Sequence, residues 1–387
     1  MIYNVASYGT IQAAINASAA SGGVVFAPAG TYRESVTLAN RVTLMGEPGL
    51  TIIKTIDGSN ADVISGANLD RVRIVGIEVD GNGANQTGSG LFGDDTSITG
   101  RGIYLSGCTN SEISNCYVHD CRIHGILIYG GADNLVKNVR SNTNGSLANT
   151  RYANGLMIWD SPRCRVRDFA GNDNGANSGL STVGALAVGI DLSGINCERN
   201  RASNITINSP YCRLSNFYST GATGASGSGV NIGHNSSADL YADYCVVVNG
   251  ISEGNSISGL VIGACVGGVF DNVICKSNTK HNLIISATDA AQDRHVHHLA
   301  FTGCVMDTTT ESGDIPIGDN ILITSLGAVD AAIGDYYFSN CQSVNALRDG
   351  LRVMGASRVR WIGGRLQSLV TGTNGQASTD IVAEHYV

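Results

Sequence analysis

One short strand recurs nine times along this chain, and no other feature narrows the possible folds so far. The copies read GIYLSG from Gly102, GILIYG from Gly125, GLMIWD from Gly155, GIDLSG from Gly189, GVNIGH from Gly229 and GLVIGA from Gly259, continuing as NLIISA from Asn282, NILITS from Asn320 and GLRVMG from Gly350. Roughly twelve residues or more after each copy comes a second element, apolar-x-Asn-apolar, as expected of a repeat built from one supersecondary unit. Its polar position is held by Asn115, Asn138, Asp168, Asn216, Asp243, Asn272, Gly303, Asn340 and Gly363. The interval between copies runs from 23 to 40 residues, so insertions have entered the loops while the strands kept their pattern.

A copy this short cannot bury its own apolar side, and stacking the copies as parallel coils makes one continuous core. Side chains alternate with period two along a strand. One inward column is therefore Ile103, Ile126, Leu156, Ile190, Val230, Leu260, Leu283, Ile321 and Leu351, and a second is Leu105, Ile128, Ile158, Leu192, Ile232, Ile262, Ile285, Ile323 and Val353. The Asn/Asp/Gly positions fall where the chain turns between sheets, with amides placed to bond the coils above and below. The fold class expected is all-β: a single right-handed parallel β-helix spanning 1–387. Coils are expected over 41–366, with a cap region over 1–40 and a patternless end over 367–387. Ile11, Ala14 and Ile15 stand at helical spacing in TIQAAINASAAS and predict a short helix covering the N-terminal end of the core. Gly at 50 residues, Pro at 5 and charged residues at 14% fit a turn-rich β protein rather than a disordered one.

A net charge of −8 and the lack of any Lys/Arg run argue against a nucleic-acid partner. No stretch approaches the ~20 apolar residues of a membrane-spanning helix, so no membrane partner is expected. The opening MIYNVASYGT lacks the regions of a signal peptide, and an extracellular or virion-associated location is the expectation. The eleven Cys form no CxxC pair and are odd in number, which argues for buried thiols rather than a disulfide framework.

The segments NVASYG, IQAAINAS, GGVVFAPAGTYRESVTL and RVTLMGEPG resemble the N-terminal part of the pectate-lyase-like β-helix superfamily, particularly the branch of phage tailspikes and mannuronan epimerases. With the coil pattern, the resemblance covers most of the chain. It implies a protein that binds a polysaccharide along the solenoid and usually cleaves it. Gly9 and Thr10 run straight into the helix where such proteins carry an acidic loop, and neither a DPH epimerase motif nor the NTD…DD…GHG set of polygalacturonases is present. The motifs therefore specify fold better than reaction.

Register of the recurrent strand gives outward columns as well. One reads Tyr104, Leu127, Met157, Asp191, Asn231, Val261 and Ile284, and the next Ser106, Tyr129, Trp159, Ser193, Gly233, Gly263 and Ser286. Arg101, His124 and Asn154 precede them; Gly107, Gly130, Asp160, Gly194 and His234 follow. Tyr104, Tyr129 and Trp159 offer flat surfaces for stacking on sugar rings, with Asn231 and His234 as polar contacts, against the alternative that loops cover them as a second small core. Glycoside hydrolysis needs one carboxyl to protonate the leaving oxygen and one to activate water or attack. Asp160 and Asp191, with backbones roughly 11 Å apart in this register, fit an inverting pair, and Glu198 is the reserve acid.

β-Elimination from a uronate is the alternative reaction, requiring a base and a group that neutralises the carboxylate. Arg101, His124, Arg151 and Tyr152 are its candidates. A non-catalytic adhesin or tail component is the alternative from a different class. No cofactor is assigned: His295 and His297 stand two apart but form no ligand set, and DGNGANQTG from Asp80 resembles a calcium loop in composition alone. A homotrimer is expected only by analogy with tailspikes.

Overall fold

The computed structural model describes residues 1–87, 99–145, 153–175, 177–233, 241–287, 296–309, 318–325, 333–354, 357–367, 369–372 and 379–384. The chain folds as two compact units, Met1–Arg201 and Ala202–Val387. In each, every strand pairing is parallel and joins one coil to the next, the arrangement of a parallel β-helix.

In the first unit the recurrent strands form a sheet of short strands, in which Ile64, Ile103, Ile126, Leu156 and Leu180 pair in register. In the second unit the corresponding row is Ile205, Val230, Leu260, Leu283, Ile321, Leu351 and Leu369. The aliphatic side chains of these rows from Ile64 to Leu351 are fully buried, each contributing about 1.5–3 kcal/mol relative to exposure. The helix Ile11–Ser18 forms as expected, with Thr10 Oγ1 accepting the Ala13 N–H and Ile11, Ala14 and Ile15 buried.

Three expectations are corrected by the register. GIDLSG is not a copy of the recurrent strand: Asp191 pairs with Arg165 and Leu192 with Val166 in the other sheet. The copies between Gly155 and Gly229 are instead Leu180–Val183 and Ile205–Asn208. Apolar-x-apolar alternation is the same on every side of a coil, so the local pattern did not distinguish the sides. The coils also reach beyond 41–366. Gly23–Ala27 already pairs with Val42–Gly46, Leu369–Gly372 pairs with Leu351–Met354, and Thr379–Glu384 pairs with Ser357–Ile362.

The second sheet bends at one residue per coil, in the left-handed region. Asn115, Asn138 and Asp168 hold this position in the first unit, and Asn216, Asn249, Asn272 and Asn340 in the second. Asn is among the few non-glycine residues that enter this region readily. Asn249 thus takes the place expected of Asp243. Asn138 Nδ2 donates to Asn115 Oδ1 at 2.7 Å and Asn272 Nδ2 to Asn249 Oδ1 at 3.0 Å, the predicted ladder.

A second, buried Asn ladder was not visible in the sequence. Asn144 Nδ2 donates to Asn174 Oδ1 at 3.0 Å and Asn174 Nδ2 to Asn200 Oδ1 at 2.9 Å; in the other unit Asn255 Nδ2 donates to Asn278 Oδ1 at 2.8 Å. Phe270, Phe301, Phe338 and Trp361 stack inside the second unit with centroids 4.7, 4.7 and 5.2 Å apart. All eleven cysteines are buried thiols, as expected. Among the described residues no helix is long and apolar enough to cross a membrane.

Candidate functional site

The outer face of the short-strand sheet is more closed than its sequence suggested. Arg101 is buried and bound by both oxygens of Asp62, Nε to Oδ1 at 3.0 Å and Nη2 to Oδ2 at 3.1 Å, and its guanidinium lies 3.6 Å from the Tyr104 ring centre. Leu127 and Met157 are buried as well. His124 is buried and its Nδ1 accepts the Asn154 N–H at 3.1 Å. Burial, aided by the charge of Arg101, pushes the imidazole pKa down to about 3. His124 therefore acts as a neutral acceptor tying one coil to the next. Tyr129 and Trp159 remain partly open and meet edge to face at 5.3 Å.

The acids proposed from the sequence do not come together. Asp160 fills a left-handed corner (φ 47°) otherwise held by Gly107, Gly130 and Gly184, and its Oδ1 accepts the Leu186 N–H at 3.3 Å. Asp191 lies in the other sheet, paired with Arg167. Ser181 and Val183, not Asp191 and Ser193, continue the outward columns after Met157 and Trp159. Asn231 belongs to the second unit, buried with its Oδ1 unpartnered. Arg151, Tyr152 and His234 lie outside the described residues, as does His295; His297 packs on His298, which pairs with Asp335 at 3.2 Å.

A different cluster forms on the second sheet of the first unit. Val79, Val118 and Ser141 point inward in one register and are buried. Period two then sends their neighbours outward. One column holds Ile52, Glu78, Tyr117, Arg140, Ala170 and Asn196; the next holds Lys54, Asp80, His119 and Asn142. Glu78, Tyr117 and Arg140 line an open groove of about 430 Å³ together with Pro48, Gly49, Ile77, Asn115, Cys116 and Asn138.

His119 is the hub beside this groove. Its Nε2 lies 3.3 Å from Glu78 Oε1 and its Nδ1 2.8 Å from Asp120 Oδ2, while Thr143 Oγ1 donates to Asp120 Oδ1 at 3.0 Å. The imidazole stacks on the Tyr117 ring at 4.5 Å, and the Arg140 guanidinium stands 5.1 Å from that ring. Burial and the charge of Asp120 raise the Tyr117 hydroxyl pKa; Arg140 opposes them and Glu78 adds to them. Asp80 is engaged by Lys54 Nζ at 2.6 Å and by the Asn82 N–H at 2.7 Å.

Asp80, His119 and Asp120 bring ligand atoms within 4.8 Å of one another. Lys54 already neutralises Asp80 and both imidazole nitrogens face carboxylates, so the donors are satisfied within the protein. Oxygens of the calcium-like run are likewise engaged within the protein: Asn82 Oδ1 accepts from Asn85 Nδ2 at 2.8 Å and Gln86 Oε1 from the Asn60 N–H at 2.7 Å. Glu198, the reserve acid, continues the His119 side of the sheet through Asn172, roughly 14 Å from His119 at one coil spacing per step. It is held by Arg199 Nη1 at 2.6 Å.

Glu78, Tyr117, His119 and Arg140 were missed by the sequence reading. The signal was present in IEVDG and CYVHD, two alternating strands with polar residues at matching positions.

No protein-family model and no curated protein matches the chain. Solved structures do. The catalytic domain of a GH87 α-1,3-glucanase in complex with nigerose superimposes with a TM-score of 0.60 at 14% identity, covering 97% of this chain and 66% of that one. The A-module of an Azotobacter vinelandii mannuronan C-5 epimerase gives 0.51 at 18% identity, covering 99% of both chains. A protein of Geobacillus virus E2 gives 0.51 at 18% identity over 84% of this chain and 62% of its own.

The chain is a parallel β-helix. It resembles structures of carbohydrate-active enzymes in fold, and it spans less than two thirds of the viral protein and of the glucanase domain.

Proposed function

We propose that this protein hydrolyses a neutral polysaccharide bound along the outer groove of the second sheet. The observation that carries the reading is the convergence of Glu78, His119 and Asp120 beside a groove walled by Tyr117 and Arg140. Tyr117 and Arg140 supply an apolar ring surface and directed donors for a pyranose. Of the two carboxyl groups that flank His119, one protonates the departing glycosidic oxygen and the other activates water. The C–O bond breaks, the water oxygen joins the anomeric carbon and its proton passes to the base. Asp80, held by Lys54, stays out of that exchange.

Two considerations favour a neutral substrate over a uronate. Glu78, Asp80 and Asp120 outnumber Arg140 and Lys54 in the cluster, and the chain carries a net charge of −8, both unfavourable to a polyanion. The fold likeness extends to an α-1,3-glucanase and to a mannuronan C-5 epimerase alike, so the charge of the cluster, not the fold, carries this choice.

The test is product analysis by mass spectrometry on a polysaccharide panel, with Glu78→Gln and Asp120→Asn alongside the unmodified protein. Hydrolysis yields fragments that have gained water, and each variant lowers the rate by about 100-fold or more while retaining glycan binding. Unsaturated fragments would replace hydrolysis by elimination. Binding without any cleavage by the unmodified protein would leave an adhesin, and unimpaired cleavage by both variants would move the site elsewhere.

A further inference from the structure

At several described coils the turn that precedes a strand of the second sheet is a left-handed corner, and the residues at this corner form a column of their own. In the first unit the column includes Arg71 and Arg163, and these close on acids: Arg71 Nε lies 2.6 Å from Asp70, and Arg163 binds both oxygens of Asp133 at 2.8 and 2.6 Å. In the second unit the same corner is held by Tyr211 (φ 56°) and Tyr244 (φ 55°), joined by the Tyr211 N–H donating to Asp243 O and the Tyr244 N–H to Val266 O, both at 2.7 Å.

The two rings stack with centroids 5.1 Å apart and planes 18° apart, yet Tyr211 and Tyr244 stay 56% and 50% exposed. Neither hydroxyl has a hydrogen-bond partner among the described residues. The next corner is Gly267 (φ 70°), where a Cβ would lie 2.6 and 2.7 Å from Tyr244 Cδ1 and Cε1. A bare glycine there is what lets the Tyr244 ring lie flat over the following coil.

We infer that Tyr211 and Tyr244 form a second carbohydrate contact, taking the apolar C–H face of a neutral pyranose on the exposed ring surface and its hydroxyls on the two phenols. Large exposed apolar surface marks contact sites, and an aromatic ring with a free hydroxyl matches a sugar's alternation of C–H and O–H. Where the first unit satisfies this column with ion pairs, the second leaves it open to a ligand. The inference rests on the reading of the protein as glycan-binding and adds a site remote in sequence from Glu78 and His119.

The experiment measures retention on immobilised α- and β-glucans, mannan, xylan, galactan and alginate, in a Glu78→Gln background that suppresses cleavage. Tyr211→Ala/Tyr244→Ala weakens retention on the glycan that holds the parent by about tenfold, the scale of two lost ring contacts. Equal retention by the two proteins overturns the second site and leaves the proposed function standing; no retention of the parent on any glycan overturns both. If the alanine pair does not fold, Gly267→Asn decides, because it keeps both tyrosines and displaces the Tyr244 ring: weaker retention supports the site and unchanged retention overturns it.

Discussion

Replacing His124 by Asn tests whether this buried imidazole is a neutral acceptor between coils. The ring is fully buried, accepts the Asn154 N–H at 3.1 Å and has its pKa pushed down to about 3, mainly by burial and then by the charge of Arg101. In the unfolded chain histidine titrates near ~6.5. Above that value both states are neutral and the coil contact is at full strength. As pH falls below it, the unfolded chain takes up a proton that the folded protein refuses, so stability drops until the pH approaches the folded value. Between about pH 7 and pH 5 this linkage removes about 2 kcal/mol.

The assay is urea unfolding followed by circular dichroism at about pH 7, 6 and 5 for the unmodified protein and His124→Asn. His281 is also held low, chiefly by burial, and contributes in the same direction to both proteins. The difference between their pH slopes therefore isolates His124. The variant is expected to be less stable near pH 7, and its loss on acidification smaller by about 2 kcal/mol. Equal slopes would refute the assignment of His124 as a neutral buried acceptor.

Asn174→Ala removes the amide that accepts from Asn144 Nδ2 and donates to Asn200 Oδ1 inside the core and is expected to cost about 3 kcal/mol in urea unfolding. Phe301→Ala opens the middle of the aromatic stack and is expected to cost about 3–5 kcal/mol, read the same way. Burial raises most of the thiols, Cys116 to about 11 and Cys275 to about 12. Iodoacetamide near neutral pH is thus expected to leave all eleven cysteines unmodified in the folded protein and to label them after unfolding, as counted by mass spectrometry.

The sequence by itself determined that the chain is a stack of β coils. Period-two alternation at Ile103, Leu105, Ile126 and Ile128, repeated down the chain, has few ways to be buried other than in parallel register, and the Asn, Asp and Gly residues at the bends follow from the left-handed backbone there. Local pattern was not enough to tell which side of a coil a strand occupies, so GIDLSG passed for a copy while Leu180–Val183 and Ile205–Asn208 went unnoticed. Only the tertiary structure decided where chemistry gathers. Glu78, His119 and Arg140 come from three successive coils separated by loops of unequal length, and their meeting depends on the hydrogen-bonded register between strands. That register also split Asp160 from Asp191 and buried His124. Side-chain alternation is a local property of the backbone, whereas proximity between coils is fixed only once every insertion has been folded out of the way.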